Sequence, residues 1–254
     1  MPDEQSCVDQ LMREGETLED LQLNGLRILQ RRGGFRYGMD AVLLSDFARV
    51  PPRAHVADFG TGTGILPLLL YGRGKGASFD AFEIQAEMAE MAQRSMRINA
   101  LEDTVRVHCL SVTHAPELLG RGSVNAIVCN PPYGVHGAAL KNPSEALRLA
   151  RHQDEDGLLG WFRAAHALLT GKGRMALIYP APRMLELMRQ MEQAHITPKR
   201  FRLVYPRADQ PANLVLLEGV KDAKPMLHPE PPLIVYEMDG APTAELRRIY
   251  HQTL

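Results

Sequence analysis

The chain has 254 residues, of which 45% are hydrophobic and 23% charged, and its formal net charge is −1. These values suit one α/β domain with an ordinary core and room for a small appendage. They exclude a polycation, so a nucleic-acid partner has to meet a local basic face.

Residues 1–20 carry seven acids (Asp3, Glu4, Asp9, Glu14, Glu16, Glu19, Asp20) against the single base Arg13. Segment 21–36 turns basic, with Arg27, Arg31, Arg32 and Arg36. A dipolar arm of this kind reads as solvated surface. Leu26, Ile28 and Leu29 predict a short strand or hairpin ending at Gly33-Gly34. The opening MPDEQSCVDQ lacks the apolar region of a secretory signal, and no later run approaches membrane-spanning length. A cytoplasmic chain with no membrane partner is therefore expected.

From Asp40 onward strands alternate with helices. Asp40 is expected to cap a helix through Ala48, and Pro51-Pro52 breaks it. HVADF (55–59) reads as a buried strand running into a glycine turn and a helix over 65–70. SFDAFEI (78–84) is a second strand. The following helix, 85–98, repeats Met88, Met91, Ala92 and Met96 at helical spacing, as a core stripe does. TVRVHCL (104–110) and VNAIVC (124–129) are the third and fourth strands. A helix over 161–169 is expected to stop at Gly171 and Gly173, ahead of the fifth strand RMALIYP (174–180) and a helix over 183–194. KRFRLVYP (199–206) and NLVLLEG (213–219) predict a closing hairpin-like pair, followed by a proline-rich stretch over 225–235 and a last helix over 243–251. Cys7, Cys109 and Cys129 have no metal-ligand spacing. Cys109 and Cys129 close apolar runs and are expected to be buried strand thiols, and no metal is expected. The alternation implies a mostly parallel sheet with helices on both faces and ligands at the carboxyl ends of its strands.

Two motifs fall at such ends. Asp58-Phe59-Gly60-Thr61-Gly62-Thr63-Gly64 follows the first strand and opens a helix. Glycines admit positive φ and close approach of a ligand, and the helix start offers free N–H groups. Glu83 ends the second strand, where a carboxylate can accept both ribose hydroxyls of a nucleoside. A nicotinamide dinucleotide site shares a glycine turn and a strand-two acid, but its spacing is G-x-G-x-x-G, not the G-x-G-x-G seen here.

Asn130-Pro131-Pro132-Tyr133 directly follows the fourth strand. The prolines fix φ and leave carbonyls without local N–H competition. The Asn130 side chain and the Pro131 carbonyl can then point at one amino group. Two acceptors holding its hydrogens return electron density to nitrogen and stabilise the positive charge that grows during alkylation. Tyr133 offers a flat face for a planar substrate, and such stacking is worth roughly 1–3 kcal/mol per base.

The glycine turn with Asp58 and Glu83 resembles the S-adenosylmethionine site of class I methyltransferases. The tetrapeptide resembles the N-P-P-Y signature of amino-group methyltransferases, which include adenine-N6, guanine-N2 and glutamine-N5 enzymes; the motif alone does not separate them. Phe35-Arg36-Tyr37-Gly38-Met39-Asp40-Ala41-Val42-Leu43-Leu44 resembles the N-terminal signature of the tRNA-Val adenine-N6 methyltransferase family, which acts on the adenine just 3′ of the anticodon. Ala150-Arg151-His152 and the run from Tyr205-Pro206-Arg207 to Pro211-Ala212-Asn213-Leu214 are similar to that family too, so the likeness extends from about Leu23 to the C-terminus.

The resemblance implies a class I, Rossmann-like α/β fold with a seven-stranded, mostly parallel sheet and a final antiparallel strand. It implies S-adenosylmethionine as cofactor, bordered by Arg36, Tyr37, Gly38 and Asp40 and held by Asp58, Gly60, Thr61, Gly62, Gly64, Glu83 and Ile84, with Asn130 at the reacting end. It also implies tRNA, through its anticodon loop, as partner. One departure stands out: the family's acid after the third strand is replaced by Ser111, which can bond an amine but without charge assistance.

Arg183, Arg189, Lys199, Arg200, Arg202 and Arg207 form a basic stripe that could meet phosphates, as could Arg151, or could be a solvated face. Phe201 and Tyr205 are read as stacking platforms or strand core. The expected organisation is an N-terminal extension (1–38), a methyltransferase domain (39–222) and a C-terminal tail with a short helix (223–254). The rivals are a protein-glutamine or rRNA guanine-N2 methyltransferase, a nicotinamide oxidoreductase, and a non-catalytic RNA-binding protein. No separate helical substrate domain precedes the glycine turn, which disfavours the glutamine enzyme.

Overall fold

The computed structural model describes residues 10–33, 38–132 and 157–251. It opens with an antiparallel pair, β1 (Glu16–Asp20) and β2 (Arg27–Arg31). Helix α1 (Met39–Phe47) has Gly38 at its N-cap position with no side-chain cap bond, and Asp40 lies inside the first turn. The expectation that Asp40 caps this helix is thus corrected: the helix starts one residue ahead of it, and its charge meets the positive end of the helix dipole instead.

The alternating region follows as β3 (His55–Phe59), α2 (Ile65–Gly72), β4 (Ser78–Glu83), α3 (Ala86–Ile98), β5 (Val105–Cys109), α4 (Ala115–Leu119) and β6 (Val124–Cys129). After it come α5 (Gly157–Leu168), β7 (Leu169–Pro180), α6 (Met184–Gln193), β8 (Ile196–Tyr205) and β9 (Leu214–Lys221). The seven long strands lie in the order β5-β4-β3-β6-β7-β9-β8. Pairings from β5 through β7 are parallel, and β9 runs antiparallel between β7 and β8. This is the mostly parallel sheet with a late antiparallel strand that the sequence predicts. Both faces are covered, so the central strands are apolar on both sides. One face packs Leu43, Leu66, Leu69 and Met96; the other packs Phe59, Phe82, Phe162, Leu168 and Met191.

β3 is flanked by β4 on one side and β6 on the other. The chain winds outward from β3 to β5 and then returns to β6. The ends of β3 and β6 are therefore the switch point, where loops leave in opposite directions and open a crevice.

Three local expectations are corrected. Gly171 and Gly173 do not stop a helix; α5 ends at Leu168 and β7 starts at Leu169, passing both glycines. The register against β6 slips between Val124 and Ala126, and Lys172 takes φ of 64°, so the glycines belong to an irregular strand start. Cys109 is exposed, because β5 is an edge strand; Cys129, in the sheet interior, is buried. Cys7 lies outside the described residues. Residues expected to form a tail contribute to the sheet: β10 (His228–Pro229) and β11 (Leu233–Ile234) pair with β8, covering its free edge. The closing helix α7 (Ala244–Ile249) is capped by Thr243, whose hydroxyl accepts from the Leu246 N–H at 3.2 Å.

The β1–β2 hairpin is clamped to α3. Arg94, buried on α3, donates to both carboxylate oxygens of Glu16 at 2.6 and 2.7 Å and also to Glu90. Asn99 bonds Arg27, Ser95 bonds Leu29, and Glu87 pairs with Arg31. β2 thus runs antiparallel to α3 and delivers Gly33 to the carboxyl end of the sheet.

Candidate active site

Three neighbouring strand ends build the site. The turn after β3 needs its glycines: Gly60, Gly62 and Gly64 have φ of 73°, 58° and 91°. At φ of 91° Gly64 takes a conformation strained for any other residue, and a Cβ there would also push aside the Met96 methyl group, 2.5 Å away on α3. The turn is tied to β4 by two bonds to the Phe82 carbonyl, from Gly60 N–H at 3.0 Å and Thr61 N–H at 2.9 Å.

Glu83, buried at the end of β4, accepts from the Gly62 N–H and the Gln85 N–H, each at 2.9 Å. Each carboxylate oxygen retains a second lone pair, so the group is pre-oriented and can still accept hydroxyl donors. The neighbouring Ile84 is 42% exposed, an apolar surface beside that carboxylate. Leu110 N–H donates to the Glu83 carbonyl at 3.1 Å, which brings Ser111 to the same rim. Ser111 caps the short turn at 112–114, accepting from Thr113 N–H at 3.3 Å.

Asp58 is the least satisfied group in the region. It is 0% exposed, and among the described residues neither carboxylate oxygen has a hydrogen-bond partner. Burial pushes its pKa from 3.8 up to about 7, with Glu83 adding to the rise; Thr61 offsets part of it, although its hydroxyl misses hydrogen-bond geometry. Buried polar groups are almost always paired, so an unpaired carboxylate at a strand end asks for a ligand. A nucleoside with a cationic amino-acid tail fits: Glu83 suits ribose hydroxyls, Ile84 a flat base, and Asp58 a positive charge.

Asn130, half-buried, follows β6, beside the end of β3 and across the crevice from Glu83. Pro131 is buried and Pro132 exposed. Tyr133, Arg36, Tyr37, Arg151 and His152 lie outside the described residues. Gly38 is exposed and Asp40 half-buried at the start of α1.

The expected basic stripe is not one surface. Arg200 is 6% exposed, bonds Glu218, Glu230 and the Phe47 carbonyl, and lies 3.7 Å over the Phe47 ring. Arg202 holds both Glu245 oxygens and the Pro231 carbonyl. Both are structural, and neither is available to a phosphate. Arg207 stays partly exposed at the carboxyl end of β8, 3.5 Å from Asp209, and Arg183 caps the same rim over Tyr179. Phe201 packs on the core. A cavity of about 350 Å³ between α1 and Arg200 lies at the opposite end of the sheet, and its arginines are already paired. Among the described residues, no group of His, Cys, Asp and Glu could hold a metal, and no helix is long and apolar enough to cross a membrane.

The sequence reading passed over Trp161, on α5. It forms an edge contact with Phe59 at 6.3 Å between ring centroids and abuts the Gly60 turn. Its being the only tryptophan in the chain was the one available signal.

The family description "Methyltransferase small domain" matches residues 38–194. A relative from Tolumonas auensis, named "tRNA1(Val) (adenine(37)-N6)-methyltransferase", is 30% identical over 214 residues, covering 83% of this chain and 86% of its own. Among solved structures, a predicted O-methyltransferase from Agrobacterium tumefaciens superposes with a TM-score of 0.65 at 23% identity, covering 84% of this chain and 96% of its own. A T. Thermophilus 16S rRNA N2 methyltransferase, solved with AdoMet and guanosine, gives 0.57 at 22% identity, covering 81% of this chain and 50% of its own. At these identities the two structures speak to the fold alone.

Proposed function

The chain belongs to the methyltransferase small domain family and is an S-adenosylmethionine-dependent methyltransferase, and from that premise we propose that it methylates the N6 amino group of an adenine in a tRNA anticodon loop. The observation that carries the reading is the juxtaposition of Asn130-Pro131 at the end of β6 with the glycine turn of β3 and Glu83 of β4, on adjacent strands. The substrate class rests on relatives that bear that name and cover most of this chain.

Bound here, S-adenosylmethionine would supply an electrophilic methyl group, its sulfonium S–CH3 bond breaking to leave neutral S-adenosylhomocysteine. Asp58, the turn at Gly60–Gly64, Glu83 and Ile84 hold the cofactor, with Gly38, Asp40 and Ser111 at its border. Asn130 and the Pro131 carbonyl accept the two hydrogens of the amino group. That restores density to a nitrogen whose lone pair is otherwise delocalised into the ring, and it answers the positive charge that develops there. Tyr133 provides the stacking face. The adenine has to be splayed out of its loop to reach this crevice. The alkylated nitrogen is acidic enough to lose its proton to solvent, so no strong general base is needed. Arg207, partly exposed on the carboxyl rim, is the described cation best suited to meet loop phosphates, and Arg151 is a candidate from the sequence; Arg183, Arg200 and Arg202 are already paired.

Nucleoside mass spectrometry of tRNA from cells with and without this protein tests the reading. Loss of N6-methyladenosine from one tRNA is the expected result. An unchanged tRNA profile, with a methylglutamine or N2-methylguanosine lost elsewhere, overturns the substrate assignment.

A further inference from the structure

The glycine turn is held from one side by bonds to β4, and on its other side stands an aromatic ring that belongs to neither motif. Gly60 and Thr61 donate to the Phe82 carbonyl, and Gly62 donates to Glu83. Opposite, a Cβ placed on Gly60 would lie 3.1 Å from Trp161 Cη2 and 3.5 Å from Cζ3. The far edge of the indole, not its pyrrole half, therefore meets the backbone of the turn. Trp161 sits in the second turn of α5, the first described element after Pro132.

The ring is itself held. Phe59 meets Trp161 edge-on at 6.3 Å, and Phe82 meets Phe59 edge-on at 6.1 Å. His108 stacks on Phe82 at 5.0 Å. Edge-on aromatic pairs of this spacing contribute beyond their buried area. The row runs beneath the ends of β5, β4 and β3 and finishes at Gly60. Trp161 is only half-buried, so a purely space-filling role would leave part of a large apolar ring in water for no packing gain.

We propose that Trp161 is a positioning residue for the cofactor: its indole edge props the Gly60 turn from beneath and fixes the backbone surface of the turn, and the Glu83 carboxylate bonded to it, against which the cofactor lies. The proposal rests on the cofactor reading of that turn. A phenylalanine at 161 keeps an aromatic against Phe59 but does not reach Gly60, which separates propping from packing.

The test is Trp161→Phe, compared with the wild-type chain by calorimetric titration with S-adenosylhomocysteine, by thermal melting and by steady-state methylation of tRNA. Loss of one close aromatic contact should raise the cofactor Kd and KM about five- to tenfold. The turnover number at saturating cofactor and the KM for tRNA should stay within about twofold, because uniform binding is what is lost. Excitation of the single tryptophan should also show a saturable emission change on S-adenosylhomocysteine binding, with the calorimetric Kd. Gly60→Ala should cost less affinity in the Trp161→Phe background than in the wild type, since the indole no longer obstructs the added methyl group. Equal cofactor affinity in the two chains, or an emission that ignores ligand which calorimetry shows to bind, overturns the proposal. A wild-type chain that binds no S-adenosylhomocysteine overturns the cofactor reading itself, and the proposal with it.

Discussion

Asp58→Asn should stabilise the cofactor-free protein while weakening cofactor binding. The wild-type carboxyl is wholly buried, unpaired and pushed up to about 7 from 3.8. The rise from 3.8 to about 7 sets about 4 kcal/mol as the upper cost of the ionised form to the fold. Unfolded, the group ionises near 3.8; folded, it holds its proton until about 7. Between those values the folded state binds more protons than the unfolded one, so stability falls as pH rises through the window and stays low above it. Asparagine is neutral throughout and lacks that decline. His55 adds a slope of the same sign: its bond to Asp80 raises its pKa above 6.5, so its stabilisation is full below 6.5 and is lost as pH rises through the folded value. The difference between variant and wild type removes that shared contribution.

Urea unfolding from about pH 5 to about pH 8 should show the variant gaining on the wild type as pH rises, by about 2–4 kcal/mol at the upper end. Calorimetry at about pH 8 should show S-adenosylmethionine bound about 1.5–3 kcal/mol more weakly, the scale of a lost charged contact. A cationic ligand favours the ionised carboxylate, so wild-type affinity should rise as pH climbs toward 7 while the variant stays flat. A variant less stable than the wild type at the upper pH, or equal to it in cofactor affinity and its pH dependence, would show that Asp58 is neither a destabilising buried charge nor a cofactor contact.

Glu83→Ala should weaken cofactor binding by about 1.5–3 kcal/mol in calorimetry and loosen the turn through loss of the Gly62 bond. Asn130→Ala should leave cofactor binding nearly intact and cut turnover by at least about 10²-fold in a single-turnover assay. Tyr133→Phe should keep most activity and Tyr133→Ala lose it; equal damage would mean that the hydroxyl matters and stacking does not. Arg200→Ala should lower stability by about 1.5–3 kcal/mol in urea unfolding, because buried Glu218 loses one charged bond while keeping Arg174 and the Arg49 N–H, and tRNA affinity per folded molecule should be unchanged.

Where a segment's own pattern decided its structure, the sequence was legible. HVADF and VNAIVC lie in the middle of a two-faced sheet, so their apolar runs ended where the strands end. The glycine turn and Asn130-Pro131 stand at those ends, on the adjacent strands where the sequence reading expects them. Contacts between distant residues were not legible. The charges of Arg200 and Arg202 looked like a surface stripe because their partners, Glu218, Glu230 and Glu245, lie on other elements. Gly171 and Gly173 looked like a helix stop because a strand bulge uses the same residue type. β10 and β11 are two residues each, too short for any alternation to register. Trp161 meets Gly60 only after the sheet has formed.

In the proposed reaction Asn130 and Pro131 present the N6 amino group of a tRNA adenine for methylation. Purified protein, S-adenosylmethionine labelled in its methyl group and unmodified tRNA transcripts test it most directly, with the product digested and its nucleosides separated. Label should appear in N6-methyladenosine from an anticodon-loop fragment and be lost with Asn130→Ala. Label in N2-methylguanosine, or label unchanged by Asn130→Ala, would rule out this role for Asn130.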